Sequence, residues 1–328
     1  MAKKGRKAKR GARADGSVSA AIKSGQAMAD DVIAFRAGQT RKRAATVRRM
    51  ARAPKPRRAP VAPQIPPRIR AQLGSPVTAG VLIAEGDSWF DYPFHDVLQM
   101  LEDDFLYDVE SVAHKGDTVE DMAHSGGQFE EFARRLEKLL RANKIPRAIL
   151  LSGGGNDIAG DEFAVLLNHA ASSLPPINDD IVRGLIDVRL RAAYAQIIGG
   201  LTRIAQTYLG RPIPIVTHGY DYALPDGRGF WGGFWLLPGP WLEPGFQKKG
   251  HLDFGKNSDV VVKLIDRFNA MLKSVSGTAG FEHVHYLNLR GTLRHGANYD
   301  KDWANELHPT KEGFALVSKK FADLVAKL

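Results

Sequence analysis

The sequence contains no cysteine among its 328 residues. This absence excludes disulfide scaffolds, cysteine nucleophiles, thiolate-bound zinc and iron–sulfur clusters. No apolar run reaches the roughly 18 residues typical of a membrane-spanning helix, and no apolar stretch of about 7–15 residues follows the N-terminal basic residues, as it would in a secretory signal. We therefore expect no transmembrane segment and favour a cytoplasmic location, with organelle targeting by the basic N-terminus left open.

Acidic residues are scarce at the N-terminus, where residues 1–72 hold 20 Lys and Arg but only 3 Asp and Glu. The local net charge is +17, whereas the whole chain has 46 basic and 36 acidic residues, so the remainder carries −7. The high isoelectric point therefore belongs to this arm. It does not mark the whole protein as a nucleic-acid binder.

Proline is concentrated between the arm and the rest of the chain, at positions 54, 56, 60, 63, 66 and 67. Because proline lacks an amide hydrogen and fixes φ, this segment favours extended chain. We interpret residues 1–72 as a basic, mostly disordered arm and linker, in which residues 17–37 could form a short helix. The arm could bind polyanions by charge, act as a targeting peptide, or be a solubilising extension without a partner.

Residues 77–328 read as one folded domain of alternating strands and helices. The hydrophobic fraction of 44% is ample for a buried core. The candidate strands are short and mostly apolar without alternation, as parallel strands covered on both faces must be: residues 81–84, 109–113, 148–151, 214–217 and 284–287. The candidate helices are 129–141, 180–209, 258–273 and 310–327. This order predicts a three-layer α/β/α sandwich around a short parallel sheet, of the flavodoxin-like type.

A polar, glycine-rich turn follows each of the first four candidate strands, at residues 85–89, 114–117, 152–157 and 218–221. Ligands of such sheets bind beyond the carboxyl ends of the strands. Four such turns at four carboxyl ends predict one shared cleft, which favours an enzyme over a purely structural protein.

The motifs in these turns resemble those of the SGNH (GDSL-like) hydrolases, a family of serine esterases and acylhydrolases. The resemblance covers the chain from about residue 81 to the end and rests on four motifs in order: GDSW at 86–89, KGDT at 115–118, GGND at 154–157 and HP at 308–309. It implies Ser88 as the nucleophile, His308 as its base, and an oxyanion hole formed by Ser88, Gly116 and Asn156. It implies neither a metal nor an organic cofactor.

The residue types suit these roles on chemical grounds. A serine hydroxyl is a poor nucleophile until a base takes its proton, and an imidazole titrates near neutral pH. The tetrahedral oxyanion formed on an ester needs preorganised donors, which two backbone amides and an asparagine amide can supply.

The sequence departs from the family pattern near the catalytic histidine. The family's last motif is usually D-x-x-H, but here Asn305 lies three residues before His308, and Asp302 lies six before. Asparagine can accept a hydrogen bond from the ring but adds no charge. We favour Asn305 in the third position, with Asp302 as the alternative charged partner.

Residues 220–255 break the α/β rhythm with a segment rich in aromatic residues, glycine and proline. Because this insert follows the fourth strand at the catalytic end, it could form a lid or a wall for the substrate, with Trp231, Phe234 and Trp235 as candidate contacts. Alternatively, the insert could pack as a satellite cluster or contact another subunit.

Two functions from different classes follow. The first is hydrolysis of carboxylic esters, of esterase, acylhydrolase or deacetylase type, on a small or polymeric substrate. The second is a weakly active or inactive SGNH-fold binding protein whose basic arm contacts polyanions, which the missing aspartate motivates. The sequence indicates no oligomeric state.

Overall fold

The computed structural model describes residues 2–52, 78–124, 127–160, 162–230 and 239–328. Its strands are β1 (Gly80–Glu85), β2 (Tyr107–Ser111), β3 (Ala148–Leu151), β4 (Ile215–His218) and β5 (Val284–Leu287). Its helices are α1 (Ala2–Arg52), α2 (Val97–Asp103), α3 (Val119–His124), α4 (Gln128–Arg141), α5 (Gly155–Ile158), α6 (Asp179–Val182), α7 (Arg191–Leu209), α8 (Glu243–Lys248), α9 (Phe254–Ser276) and α10 (Lys311–Val325). A π-helical stretch, Arg183–Leu190, joins α6 to α7.

The five strands form one parallel sheet in the order β2-β1-β3-β4-β5. This is the doubly wound, flavodoxin-like order, in which the chain reverses its direction of progress between β1 and β3. The predicted α/β fold class is therefore confirmed, with strand bounds within about two residues of the sequence expectation. The reversal point, where such sheets bind ligands, lies between the ends of β1 and β3.

The local sequence accounts for these elements. Every residue of β3 and β4 is buried, as strands covered by helices on both faces must be, although β4 ends with the polar residues Thr217 and His218. Side-chain oxygens cap several helix starts by accepting a backbone N–H from the first turn: Asp96 caps α2, Asn178 caps α6, Asp253 caps α9 and Thr310 caps α10.

The helices cover both faces of the sheet. Helices α2 and α10 contact each other on one side, and α4, α7 and α9 pack on the other side, with α3 against α4 and α7. The two layers bury a continuous apolar core against the sheet. Among the described residues, no helix has the length and apolar content needed to cross a membrane.

The N-terminal arm differs from the sequence expectation. Residues Ala2–Arg52 form one 51-residue helix rather than a mostly disordered segment, and the short helix expected at 17–37 is its central part. This part packs against α7 and α4 and buries Val18, Ala29 and Val32. The Pro-rich linker predicted around residues 54–70 lies outside the described residues.

Glycines make this extra layer of packing possible. A Cβ atom at Gly25 would lie 1.9 Å from the carbonyl oxygen of Gln196 in α7, and one at Gly200 would lie 2.8 Å from the carbonyl oxygen of Gly25. The two helix backbones therefore touch at this crossing. Arg203 of α7 also pairs with Asp30 of α1 at 2.7 Å.

Candidate active site

The structure brings the residues of the four motifs together at the carboxyl end of the sheet. Ser88 follows β1, Gly116 follows β2, Asn156 lies in the single turn of α5 after β3, and His308 precedes α10. The sheet order makes β1 the direct neighbour of both β2 and β3. The first three motifs therefore meet around Ser88 although they are separated in sequence.

Ser88 and His308 are in hydrogen-bond contact across 220 positions of the chain. The Oγ atom of Ser88 lies 2.7 Å from Nε2 of His308, and Nδ1 of the same ring lies 3.0 Å from Oδ1 of Asn305. These contacts give an unbroken serine–histidine–asparagine series. If the hydrogen of the neutral ring is on Nδ1, it is donated to Asn305, and Nε2 is free to accept from the serine hydroxyl.

The amide of Asn305 is held in one orientation. Its Oδ1 also accepts the backbone N–H groups of Leu307, at 3.0 Å, and His308, at 2.9 Å. Its Nδ2 donates to the hydroxyl oxygen of Tyr92 at 3.1 Å. A flipped amide would turn its N–H groups toward the N–H groups of Leu307 and His308. The network therefore fixes Oδ1 of Asn305 as the acceptor beside Nδ1 of His308.

The imidazole of His308 lies among aromatic rings. The ring of Tyr92 stacks on it with centroids 4.2 Å apart, and Trp241 approaches edge-on at 5.3 Å. Burial lowers the pKa of His308 to about 3 because the cation would be poorly solvated there. The ring is therefore a neutral base across the physiological pH range.

Asp302, the alternative partner considered from the sequence, makes other contacts. Its carboxylate accepts the backbone N–H of Arg294 at 2.8 Å and pairs with the guanidinium of the same residue. Nδ1 of His308 is in contact with Asn305 and not with this carboxylate. Asp302 therefore anchors the loop that precedes His308.

The three candidate oxyanion donors have N–H groups that are free to bind a ligand. Within the described part of the chain, the backbone N–H groups of Ser88 and Gly116 donate to no other protein group. Gly116 has φ of +92°, a conformation that glycine adopts without strain. Asn156 uses one N–H of its amide to bind the carbonyl oxygen of Asp117 at 2.9 Å, which leaves the other N–H for a ligand.

Asp87 of the GDS motif joins three of the loops. Its Oδ1 accepts the hydroxyl of Ser152 at 2.7 Å and the N–H of Trp89 at 3.1 Å. Its Oδ2 accepts the hydroxyl of Tyr220, whose oxygen in turn accepts the N–H of Gly155 at 3.2 Å. This buried network holds the turn that carries Ser88 against the ends of β3 and β4.

Asp157 connects the loops that carry Gly116 and Asn156. Its carboxylate accepts the N–H of Val119 at 2.9 Å and that of Glu120 at 3.4 Å, which caps the start of α3. Burial raises the pKa of Asp157 to about 6 despite these donors. The aspartate of the GGND motif is thus a structural link rather than a group facing the serine.

Glu306 is a site residue that sequence reasoning missed. Its buried carboxylate accepts four backbone N–H groups of the insert, at 2.6–3.0 Å: those of Gly227, Trp241, Leu242 and Glu243. Burial raises the pKa of Glu306, and the four donors oppose that rise. The contact ties the insert to the loop of His308, and the only hint in the sequence is the position two residues before the histidine.

The described ends of the insert border the site. Trp241 contacts His308, and the ring of Phe230 lies 5.8 Å from that of Tyr92. The predicted substrate contacts Trp231, Phe234 and Trp235 fall outside the described residues.

His218, at the end of β4, is a buried neutral side chain. It packs among Trp89, Phe90, Tyr220 and Phe321, and burial lowers its pKa to about 4. Among the described residues, no group of three or more His, Asp and Glu side chains is arranged to hold a metal ion.

Comparisons with known proteins find similarity in structure only. No family model matches the sequence, and no curated protein matches it. A protein of Slackia heliotrinireducens assigned as an SGNH hydrolase matches with a TM-score of 0.41 and 14% identity, over 75% of this chain and 98% of that one. The family 3 carbohydrate esterase of Clostridium thermocellum gives 0.38 and 13%, over 75% and 97%. The psychrotrophic esterase EstA of Pseudoalteromonas sp. gives 0.37 and 14%, over 76% and 97%.

The chain has a flavodoxin-like α/β fold. Its own sheet order and the position of the four motif loops at one edge agree with the resemblance seen in the sequence. The structurally similar proteins include esterases.

Proposed function

We propose that this protein hydrolyses carboxylic esters with Ser88 as nucleophile and His308 as general base. The observation that carries the proposal is the contact of 2.7 Å between Ser88 Oγ and His308 Nε2, together with the 3.0 Å contact of the ring to Asn305. Both distances lie within the range expected of a nucleophile, a base and the group that orients the base.

In the proposed reaction, Oγ of Ser88 attacks the ester carbonyl carbon while Nε2 of His308 takes the hydroxyl proton. The oxyanion is stabilised by the N–H groups of Ser88 and Gly116 and by the amide of Asn156. The imidazolium then gives its proton to the departing alcohol, and the acyl-enzyme remains. Water then attacks the acyl carbon while His308 takes one of its protons. As the bond between the acyl carbon and Ser88 Oγ breaks, the imidazolium returns that proton to Oγ, which releases the acid and regenerates the free serine.

The first test is chemical labelling of the full chain. We expect a fluorophosphonate probe to attach to Ser88, identified by mass mapping of the labelled peptide, and the protein to hydrolyse p-nitrophenyl esters. Ser88→Ala should abolish labelling and lower kcat/KM by at least about 10⁴-fold. The matched control is Ser173→Ala, at an exposed serine away from the sheet edge, which should behave like the wild type.

The alternative is an inactive binding protein whose basic arm contacts polyanions. It would be favoured if the folded protein neither reacted with the probe nor hydrolysed any ester, yet bound heparin or nucleic acid only when residues 1–52 were present. Hydrolysis retained in Ser88→Ala would remove Ser88 from its proposed role.

A further inference from the structure

A narrow apolar cavity opens beside Ser88 and runs into the body between α9 and the insert. We call it the apolar slot. Its cavity volume is about 60 Å³. Its inner wall is formed by apolar side chains from three parts of the chain: Phe163, Leu242, Val261, Leu264, Ile265 and Phe268. Most of these side chains are buried in the core.

Apart from the reacting groups of Ser88 and Asn156, the carboxylates that also line the slot have hydrogen-bond partners already. Asp87 accepts from Ser152, Trp89 and Tyr220. Asp221 accepts the N–H groups of Tyr222, Gly291 and Leu293 at 2.6–2.8 Å. A charged or hydroxylated group placed in the slot would therefore lose its water without gaining a partner, whereas a hydrocarbon chain would gain from burial.

The slot lies on the acyl side of the reaction centre. Ser88 and Asn156 line it, but His308, which must protonate the departing alcohol, does not. A second, more open groove meets the slot at Asn156, Ile158 and Ala159, and its lining mixes the charged side chains of Glu120, Glu162 and Arg189 with apolar ones. An apolar acyl chain on Ser88 can therefore enter the buried slot, whereas a polar group can stay in the solvent-exposed groove.

From this geometry we infer that the slot binds the acyl chain, and that the substrate is an ester of an unsubstituted fatty acid longer than acetate. The inference rests on the proposed ester hydrolysis and specifies its substrate class. Each methylene buried in the slot should raise kcat/KM about fourfold until the slot is full.

The test is a series of p-nitrophenyl esters from acetate to octanoate, each below its micelle concentration, with wild type and three variants. Val261→Phe fills the slot, and its matched control is Val262→Phe, at the neighbouring half-buried position of α9 that does not line the slot. Leu264→Ala enlarges the slot, so its expected effect is opposite to that of Val261→Phe. It keeps the inference testable if Val261→Phe folds poorly.

We expect wild type and Val262→Phe to gain activity with chain length beyond acetate. Val261→Phe should lose that gain while its acetate rate stays within about threefold, and Leu264→Ala should move the optimum to a longer chain. If activity were highest on acetate and Ser88 were labelled normally, the inference that the slot binds the acyl chain would be wrong, and the proposed ester hydrolysis would still hold. If the protein were neither labelled nor active on any ester, both the proposed function and the acyl-chain inference would be wrong.

Discussion

Oδ1 of Asn305 lies 3.0 Å from Nδ1 of His308, in the position where related motifs carry an aspartate. The amide supplies the acceptor that orients the ring but no charge to stabilise the imidazolium. The hydrogen bonds of the Asn305 amide to Tyr92, Leu307 and His308 fix this acceptor in place. The imidazole of His308 is therefore expected to be well oriented but weakly basic.

This arrangement predicts the pH dependence of the proposed reaction. Burial lowers the pKa of His308 to about 3, so the base is unprotonated throughout the neutral range. We expect kcat/KM to be flat from about pH 5 to pH 8, whereas a histidine at its ordinary pKa would give a decline below about pH 6.5. A decline centred near pH 6.5 to 7 would contradict this environment for the ring.

Replacing Asn305 with Asp should restore the missing charge. A carboxylate beside Nδ1 favours the imidazolium, so it raises the pKa of His308 and moves the acid limb of the profile to higher pH. It should also raise kcat/KM at pH 8 by about tenfold or more, because the charge stabilises the protonated ring in the transition state. The control is Asp302→Asn, which breaks the pair with Arg294 and should leave the acid limb unmoved.

Tyr92 should act as a positioning residue for Asn305. Tyr92→Phe keeps the stacked ring but removes the oxygen that accepts from Asn305 Nδ2. An amide N–H left buried without a partner costs about 1–3 kcal/mol, so we expect kcat to fall about tenfold with KM unchanged. An unchanged kcat, with only a lower melting temperature, would show that the hydroxyl serves stability alone.

The sequence predicted the parts of this molecule that rest on local patterns. Apolar runs located all five strands, and the motif order predicted that Ser88 and His308 would meet. The sequence favoured Asn305 over Asp302 but could not decide between them. The answer depends on the ion pair between Asp302 and Arg294, which no local pattern predicts. Glu306 and Tyr92 carry no local pattern, since their partners lie far away in the chain.

The N-terminal helix shows why composition misleads. Residues 2–52 have low mean hydropathy, which is typical of disorder. Yet a few residues at helical spacing, with Gly25 at the crossing, suffice to pack the segment on α7. The sequence predicted a short helix at residues 17–37, but its packing on α7 depends on a partner far away in the chain and has no local signal.

Glu85 should make the folded state less stable as the pH rises. Its carboxyl, at the end of β1, is buried without a hydrogen-bond partner among the described residues, and burial, with Asp117 and Glu131 nearby, raises its pKa from 4.5 to about 9. Between those values the folded protein keeps a proton that the unfolded chain releases, so the free energy of unfolding falls with increasing pH.

Glu85→Gln removes this dependence. At pH 7 the expected gain is on the order of 3 kcal/mol in the free energy of unfolding, from about 1.36 kcal/mol for each pH unit above 4.5. Urea unfolding at pH 5, 7 and 8.5 should show the difference from wild type growing with pH. The control is Glu312→Gln, at an exposed position of α10. A difference that stays constant or shrinks with pH would contradict the raised pKa.

A matched pair of glycine substitutions should reveal whether the basic helix is held against the domain. Gly25→Ala and Gly38→Ala both replace a helical glycine, and each should gain up to about 1 kcal/mol of helix propensity. Only the Cβ at position 25 meets the α7 backbone, because nothing lies within 4 Å of one at position 38. We therefore expect Gly25→Ala to lower the melting temperature and expose α1 to trypsin, whereas Gly38→Ala keeps or improves both. Equal protection in the two variants would mean that α1 does not pack on α7. Ester hydrolysis should be unchanged in both, because the contacts of α1 are with α4 and α7, away from Ser88 and His308.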